Sequence, residues 1–222
     1  MTAAVLIDRE NLGYGDKVVL QDVALSLTPG ERVVFLGRSG AGKSTLLAAL
    51  YNRLTAQGRR VALAPQDHAL VPPLSVFHNV FMGRLDERGA LRNLMTLIRP
   101  SAAERAQVRP VLEAVGLAGE ERQPVVSLSG GQKQRVALAR ALFRGGEVLI
   151  ADEPVSAVDE SQARRLLIEA KRRFHTSLLA LHDVELALSH ATRIVGVGAG
   201  RILFDRAASA VDRREIDALY AL

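Results

Sequence analysis

The chain has no cysteine among its 222 residues, which excludes disulfide staples, thiol nucleophiles and cysteine-ligated zinc. It also lacks any run of about 18 consecutive apolar residues, the length a helix needs to cross a bilayer, so it is not expected to span a membrane itself. The opening stretch from Met1 to Glu10 has no basic segment leading into an apolar one, a pattern that predicts retention in the cytoplasm. Neither an internal repeat nor a low-complexity linker divides the sequence, leaving one domain or one domain with an inserted lobe. What is there is ordinary globular composition, 48% hydrophobic and 24% charged, with a formal net charge of +5. The positive excess is scattered in Arg59-Arg60, Arg164-Arg165 and Lys171-Arg172-Arg173, as expected of solvated helix faces rather than of a nucleic-acid or membrane surface.

One stretch organises the rest. Gly37-Arg38-Ser39-Gly40-Ala41-Gly42-Lys43-Ser44-Thr45 follows the apolar run Val33 to Leu36 and leads into a helix beginning near Lys43. A strand, a glycine-rich turn and a helix N-terminus together present backbone N–H groups at a positive helix end, which suits a polyphosphate better than a merely flexible turn. In this reading the three glycines let backbone approach the phosphates, Lys43 reaches the β- and γ-phosphates, and the Ser44 hydroxyl ligates Mg²⁺.

Downstream, Ser129-Gly130-Gly131-Gln132 has the spacing of a capping box, placing a second set of N–H groups at a helix N-terminus as a second anion site. A chain with one nucleotide loop and a separate second anion site invites a dimer. Val148 to Ala151 reads as a buried parallel strand ending in Asp152-Glu153, where an α/β sheet holds its ligand. There Asp152 can hold Mg²⁺ through a water and Glu153 can polarise an attacking water. Three residues stay open on position alone. Tyr14 either stacks on adenine or packs a turn. Gln66, after the strand Arg60 to Ala64, either contacts Mg²⁺ and water or is a surface residue. His182 either reaches a γ-phosphate or is structural, as His68, His78, His175 and His190 are expected to be.

Other strands are expected at Val5 to Ile7, Val18 to Leu27, Ser177 to Leu181, Arg193 to Val197 and Arg201 to Phe204. Between Asp67 and Val126 the pattern turns helical, with segments at Ser75 to Gly83 and Arg92 to Ile98. A third opens with the capping box Ser101 to Glu104, in which Pro110 is expected to kink or restart the helix. A helix from about Ser161 to Arg173 follows later, and the tail from Asp205 reads as one short amphipathic helix.

Taken together, these residues resemble the nucleotide-binding subunit of ATP-binding cassette (ABC) transporters over nearly the whole chain. The resemblance rests on Leu128-Ser129-Gly130-Gly131-Gln132 ahead of Asp152-Glu153, with His182 downstream. It implies an α/β fold: a RecA-like P-loop NTPase core from residues 1–66 and 127–205, an inserted helical subdomain at 67–126 and a C-terminal helix at 206–222. By the same resemblance Tyr14 is the adenine-stacking aromatic, Gln66 the Q-loop residue and Ser129 to Gln132 the signature facing a partner subunit's ATP. Ser156-Ala157-Val158-Asp159 matches the D-loop, with Val158 where leucine is usual, and His182 matches the switch histidine. ATP and Mg²⁺ are the implied cofactors. The implied partners are a second copy of the chain, membrane permease subunits and, indirectly, a periplasmic solute-binding protein, with the chain peripheral at the cytoplasmic face of the inner membrane.

The family usually places an antiparallel hairpin between the phosphate-loop helix and the Q-loop strand, and here only Tyr51 to Gly58 remain for it, so a reduced β-subdomain is expected. The helical lobe is similar to the phosphonate-importer branch through Asn79-Val80-Phe81-Met82-Gly83-Arg84-Leu85 and the leucine-rich Leu91 to Ile98; a related phosphorus oxyanion fits equally. Two rival readings carry less. A P-loop kinase or GTPase would need no Leu-Ser-Gly-Gly-Gln, and the chain lacks an Asn-Lys-x-Asp guanine motif. A soluble cassette ATPase acting on nucleic acid typically carries coiled coils, zinc modules or a second cassette, none of which is visible in the sequence.

Overall fold

The computed structural model describes residues 5–221; the first four residues of the stretch read for a leader, and Leu222 of the C-terminal helix, lie outside the described residues. The chain opens with two strands, β1 (Val5–Tyr14) and β2 (Lys17–Leu27), paired antiparallel in a sheet of their own. Both are longer than the apolar alternation alone indicates. The hairpin carries Val5 to Tyr14 through as one strand, and only Gly15-Asp16 are left for the turn.

The remaining strands are β3 (Arg32–Leu36), β4 (Val61–Ala64), β5 (Val148–Asp152), β6 (Thr176–Ala180), β7 (Arg193–Gly198) and β8 (Arg201–Ala207). They form one sheet in the order β4-β5-β6-β3-β7-β8, parallel except for the β7–β8 hairpin. The helices are α1 (Lys43–Ala56), α2 (Val76–Phe81), α3 (Ala90–Ile98), α4 (Ala102–Ala114), α5 (Gly130–Arg144), α6 (Glu160–Arg173), α7 (Val184–His190) and α8 (Arg213–Ala221).

Strand β3 shows why the sheet sits at the centre. Side chains alternate across a strand, and here Val33 and Phe35 join a core with Leu46, Leu50 and Leu54 of α1, whereas Val34 and Leu36 face a second core built with α5 and the helical lobe. All four are buried, so the strand reads as a continuous apolar run. The carboxyl ends of β3, β5 and β6 therefore meet at one edge, where the candidate residues lie.

The antiparallel layer is reduced as expected, whereas one helix departs from expectation. Helix α1 runs to Ala56 and β4 begins at Val61, so no strand lies between them and the antiparallel layer is the β1–β2 pair alone. Pro110 neither ends nor restarts its helix: α4 is continuous from Ala102 to Ala114. A mid-helix proline forfeits one hydrogen bond and clashes one turn back, and packing of Val108, Val111 and Leu112, all buried, offsets that cost. Helix α7 was not anticipated, although Asp183 caps it by accepting from the Leu186 amide at 2.8 Å. His190, at its end, is buried with its pKa lowered to about 4, chiefly by desolvation, as a structural histidine would be.

The lobe between β4 and α5 is pinned by a buried carboxylate. Glu104 is 5% exposed and accepts from the Ser101 amide (2.8 Å), the Ser101 and Thr96 hydroxyls (2.9 and 2.8 Å) and Arg88 (2.9 Å). Burial pushes its pKa up, but these hydrogen bonds and the Arg88 charge outweigh burial and hold it below the ordinary value. Its contribution is thus present above pH ~4.3 and fades as pH falls through the lower folded value. Glu104→Ala should destabilise the protein by about 3 kcal/mol, because it takes the carboxylate partner from the largely buried Arg88, leaving it only Gln107, and opens the capping box. Urea unfolding at pH 7 measures this, and a loss within about 0.5 kcal/mol of zero would contradict it.

Candidate functional site

The phosphate loop leaves β3 at Gly37 and enters α1 at Lys43. Its glycines serve different ends. At Gly37, with φ of 149°, a Cβ would lie 2.1 Å from the Val197 carbonyl oxygen, and at Gly42, with φ of 103°, it would lie 2.7 Å from Leu20. Those two are demanded by the protein's own packing. Gly40, with φ of 80°, has open space where a side chain would stand, and it leaves the backbone accessible to a ligand. Gly42 supplies no side-chain cap, so the first amides of α1 are left for an anion. Beside the loop, Arg38, Ser39, Gly40 and Ala41 line a cavity of about 440 Å³ completed by Val19, Gly198 to Gly200 and Leu219 of α8.

Lys43 is 5% exposed, and its ammonium donates to the carbonyls of Gly37 at 2.7 Å and Arg38 at 3.0 Å. Burial lowers its pKa from the usual value, against the opposing pull of Glu153 and Asp152. Asp152 is shifted the other way: burial raises its pKa, the Glu153 charge adds to this, and a hydrogen bond from Ser44 and the charge of Lys43 counteract it. Loop and strand end thus form one electrostatic unit. The Ser44–Asp152 pair is a hydroxyl and carboxylate set of the kind a hard cation takes. Gln66 is exposed just beyond the end of β4, next to β5 in the sheet, and makes no hydrogen bond to either. Tyr14 lies 60% exposed over the start of α1, its hydroxyl accepting from Thr45 at 3.4 Å.

Glu153 sits in the left-handed region with φ of 53°, a conformation costing a non-glycine residue about 1–3 kcal/mol. Its amide donates to Ala180 of β6 at 3.0 Å, and its carboxylate meets His182 Nε2 at 2.5 Å. The two residues also line a cavity of about 340 Å³ with Ser156, Val158, Glu160 and Asp183.

The second candidate anion site lies elsewhere. Ser129 caps α5, accepting from the Gln132 amide at 3.3 Å, while the Gln132 side chain accepts from the Ser129 amide at 2.9 Å. Gly130 faces open space, but a Cβ at Gly131 would lie 2.5 Å from the Ala157 carbonyl oxygen, so that glycine is required by the chain itself. Among the described residues, no hydrogen bond joins residues 129–132 to the phosphate loop. Asp159 caps α6 by accepting from the Gln162 amide at 2.9 Å. Gln134 was not singled out from the sequence. It is 7% exposed and hydrogen-bonded to the turn after Asp152. Helical spacing offered a signal, since Gln134 shares the buried face with Leu138 and Ala141, where a polar side chain needs internal partners.

Comparison with known sequences now adds a decisive finding: the pattern of the ABC transporter family matches residues 20–156. The chain belongs to the ABC transporter family. Similar relatives include the phosphonates import ATP-binding protein PhnC of Frankia casuarinae, 40% identical over 244 residues covering 98% of this chain and 95% of the relative. PhnC of Pseudomonas putida is 38% identical over 99% of this chain and 90% of its own length. Among solved structures, the dimeric bacterial ABC transporter cassette MJ0796 matches with a TM-score of 0.76 at 23% identity, covering 91% of this chain and 98% of that one. A bacterial Atm1-family ABC exporter with ATP bound also gives 0.76, at 24% identity, covering 97% of this chain and 40% of that one. These likenesses establish the ABC ATPase fold for the α/β core with its reduced antiparallel layer.

Proposed function

We propose that this ABC protein is the ATP-hydrolysing subunit of an importer whose solute is a phosphonate. The observation carrying the hydrolytic half is the convergence of Lys43, Asp152, Glu153 and His182 at one sheet edge beside the phosphate loop. The solute rests on the names of the relatives.

In this reading the amides of residues 38–45 and the Lys43 ammonium bind the ATP phosphates, while Tyr14 covers the adenine. Ser44 and Asp152 would hold Mg²⁺, which supplies charge neutralisation along the polyphosphate, and Gln66 would join them as the site closes. Glu153 accepts a proton from the attacking water through its carboxylate, and His182, in contact with that carboxylate, holds it in place. The chemistry needs positioning and charge neutralisation more than covalent help.

Ser129, Gly130, Gly131 and Gln132 stand apart from the loop of their own chain, so they serve the ATP of a second copy arranged head to tail, with Asp159 at the joint. Helix α3 supports a membrane partner. Leu91, Met95 and Ile98 are 73%, 64% and 77% exposed, beside an apolar groove of about 320 Å³ containing Leu74, Phe81, Leu94 and Leu97. An apolar face of this kind fits a permease segment, which would keep the chain peripheral at the cytoplasmic face of the membrane. Among the described residues no helix is long and apolar enough to cross it.

The test is reconstitution in vesicles with a phosphonate permease and its solute-binding protein. ATP hydrolysis should rise when the binding protein carries methylphosphonate, with uptake into the vesicles. Stimulation by another solute alone would replace phosphonate, and no stimulation with any permease would overturn the transport reading.

A further inference from the structure

Gln134 lies in the second turn of α5, the helix that begins with Ser129 to Gln132, and its side chain is spent entirely on the turn that follows Asp152. The amide nitrogen donates to the Glu153 carbonyl oxygen and, at 2.8 Å, to the Ser156 hydroxyl, while the amide oxygen accepts from the Ala157 backbone N–H at 3.0 Å. With 7% exposure, this is a buried polar group whose donors and acceptor all point at residues 153–157. Glu153 is thereby held on both sides. Its N–H is fixed to Ala180 of β6, and its C=O is fixed to Gln134, with only longer contacts from Ser156 at 3.3 and 3.4 Å to share the load. A non-glycine residue keeps a φ of 53° only where its surroundings enforce it. Two side chains, Gln134 and Ser156, reach its carbonyl, and Gln134 is the one that comes from a separate helix.

We propose that Gln134 is a positioning residue for hydrolysis. It holds the Glu153 backbone in its left-handed conformation so that the carboxylate stays against His182, and it ties that conformation to the seating of the helix that starts at Ser129. The inference rests on Glu153 as the group that accepts the proton. Contact between Gly131 and Ala157, where no Cβ fits, makes the helix N-terminus and the same turn one body, so a shift of residues 129–132 is felt at Glu153. Without the amide, the Glu153 carbonyl keeps only the Ser156 contacts, the residue relaxes toward ordinary φ values, and the carboxylate swings away from His182.

The experiment uses Gln134→Met, which keeps the volume of the side chain and removes both its donors and its acceptor. Steady-state ATPase of the full chain should show kcat lower by about 100-fold, the scale of displacing a reacting group by about 1 Å. KM for ATP and the affinity for labelled ATP should stay within about twofold. Unchanged kcat overturns the proposal. So does a parallel loss of kcat, ATP affinity and urea midpoint, which would mark Gln134 as structural only. Glu153→Gln, assayed alongside, separates the two levels. Full turnover in that variant removes Glu153 from the chemistry, whereas a dead Glu153→Gln with an active Gln134→Met sinks the positioning role alone.

Discussion

Glu153→Gln is expected to lower kcat by about 1000-fold, in the middle of the range for removing a positioned general base. The amide keeps the size of the carboxylate and can still hydrogen-bond His182, so the backbone of the turn, held by Ala180 and Gln134, has no reason to rearrange. What it loses is the ability to take a proton from water. ATP binding should persist, since the groups proposed to bind the phosphates, Lys43 and the loop amides, are untouched. The variant should therefore accumulate as an Mg-ATP-bound dimer, visible by size-exclusion chromatography or light scattering, and the wild type should show that dimer only transiently. Undiminished hydrolysis in Glu153→Gln would take the proton-accepting role away from this carboxylate. A dead variant that stays monomeric at saturating Mg-ATP would instead break the link between Ser129 to Gln132 and a second nucleotide.

The phosphate loop and the strand ending in Asp152 were legible because each is a local pattern: an apolar run, a glycine-rich turn or carboxylate pair, then a helix. Capping boxes at Ser101 and Ser129 are equally local and appear with both reciprocal hydrogen bonds. The errors arise where tertiary contacts decide. Pro110 reads as a breaker until the burial of Val108, Val111 and Leu112 is known. Strand β1 extends well beyond Ile7 because β2 offers partners to Glu10, Leu12 and Gly13, although exposed residues spoil the alternation. Helix α7 is only seven residues long, too short for a periodic signal.

The site divides in the same way. Candidate residues could be read from motifs, but what holds them in position could not. The glycines illustrate this. Phosphate approach is the local reason for glycine at 37, 40 and 42, but packing adds a second reason at Gly37 and Gly42, where a Cβ would meet the Val197 carbonyl and Leu20, while Gly40 has open space. Gln134 acts across 19 to 23 residues of sequence, a separation that no motif spacing reveals.

Lys43→Ala should weaken Mg-ATP binding by about 1000-fold, the upper part of the 2–5 kcal/mol range for removing one partner of a desolvated, hydrogen-bonded charge pair. The side chain is almost wholly buried, and two of the three ammonium donors are engaged by the carbonyls of Gly37 and Arg38, which leaves one for a phosphate. A phosphate entering the loop therefore meets a cation that has little water left to shed and is aimed by fixed geometry. Alanine supplies neither charge nor donor, and it leaves the loop carbonyls facing the anion with their negative ends. Arginine should not rescue the loss, because a planar guanidinium cannot occupy the space of an ammonium enclosed this closely. Fold stability should change little beside the binding loss, since Leu46, Leu50 and Leu54 continue to anchor α1 in the core. Titration with fluorescent ATP measures the affinity and urea unfolding checks the fold. Binding within about tenfold of wild type in a folded Lys43→Ala protein would mean that the backbone amides, with any cation that Ser44 and Asp152 would hold, carry the phosphates without this side chain.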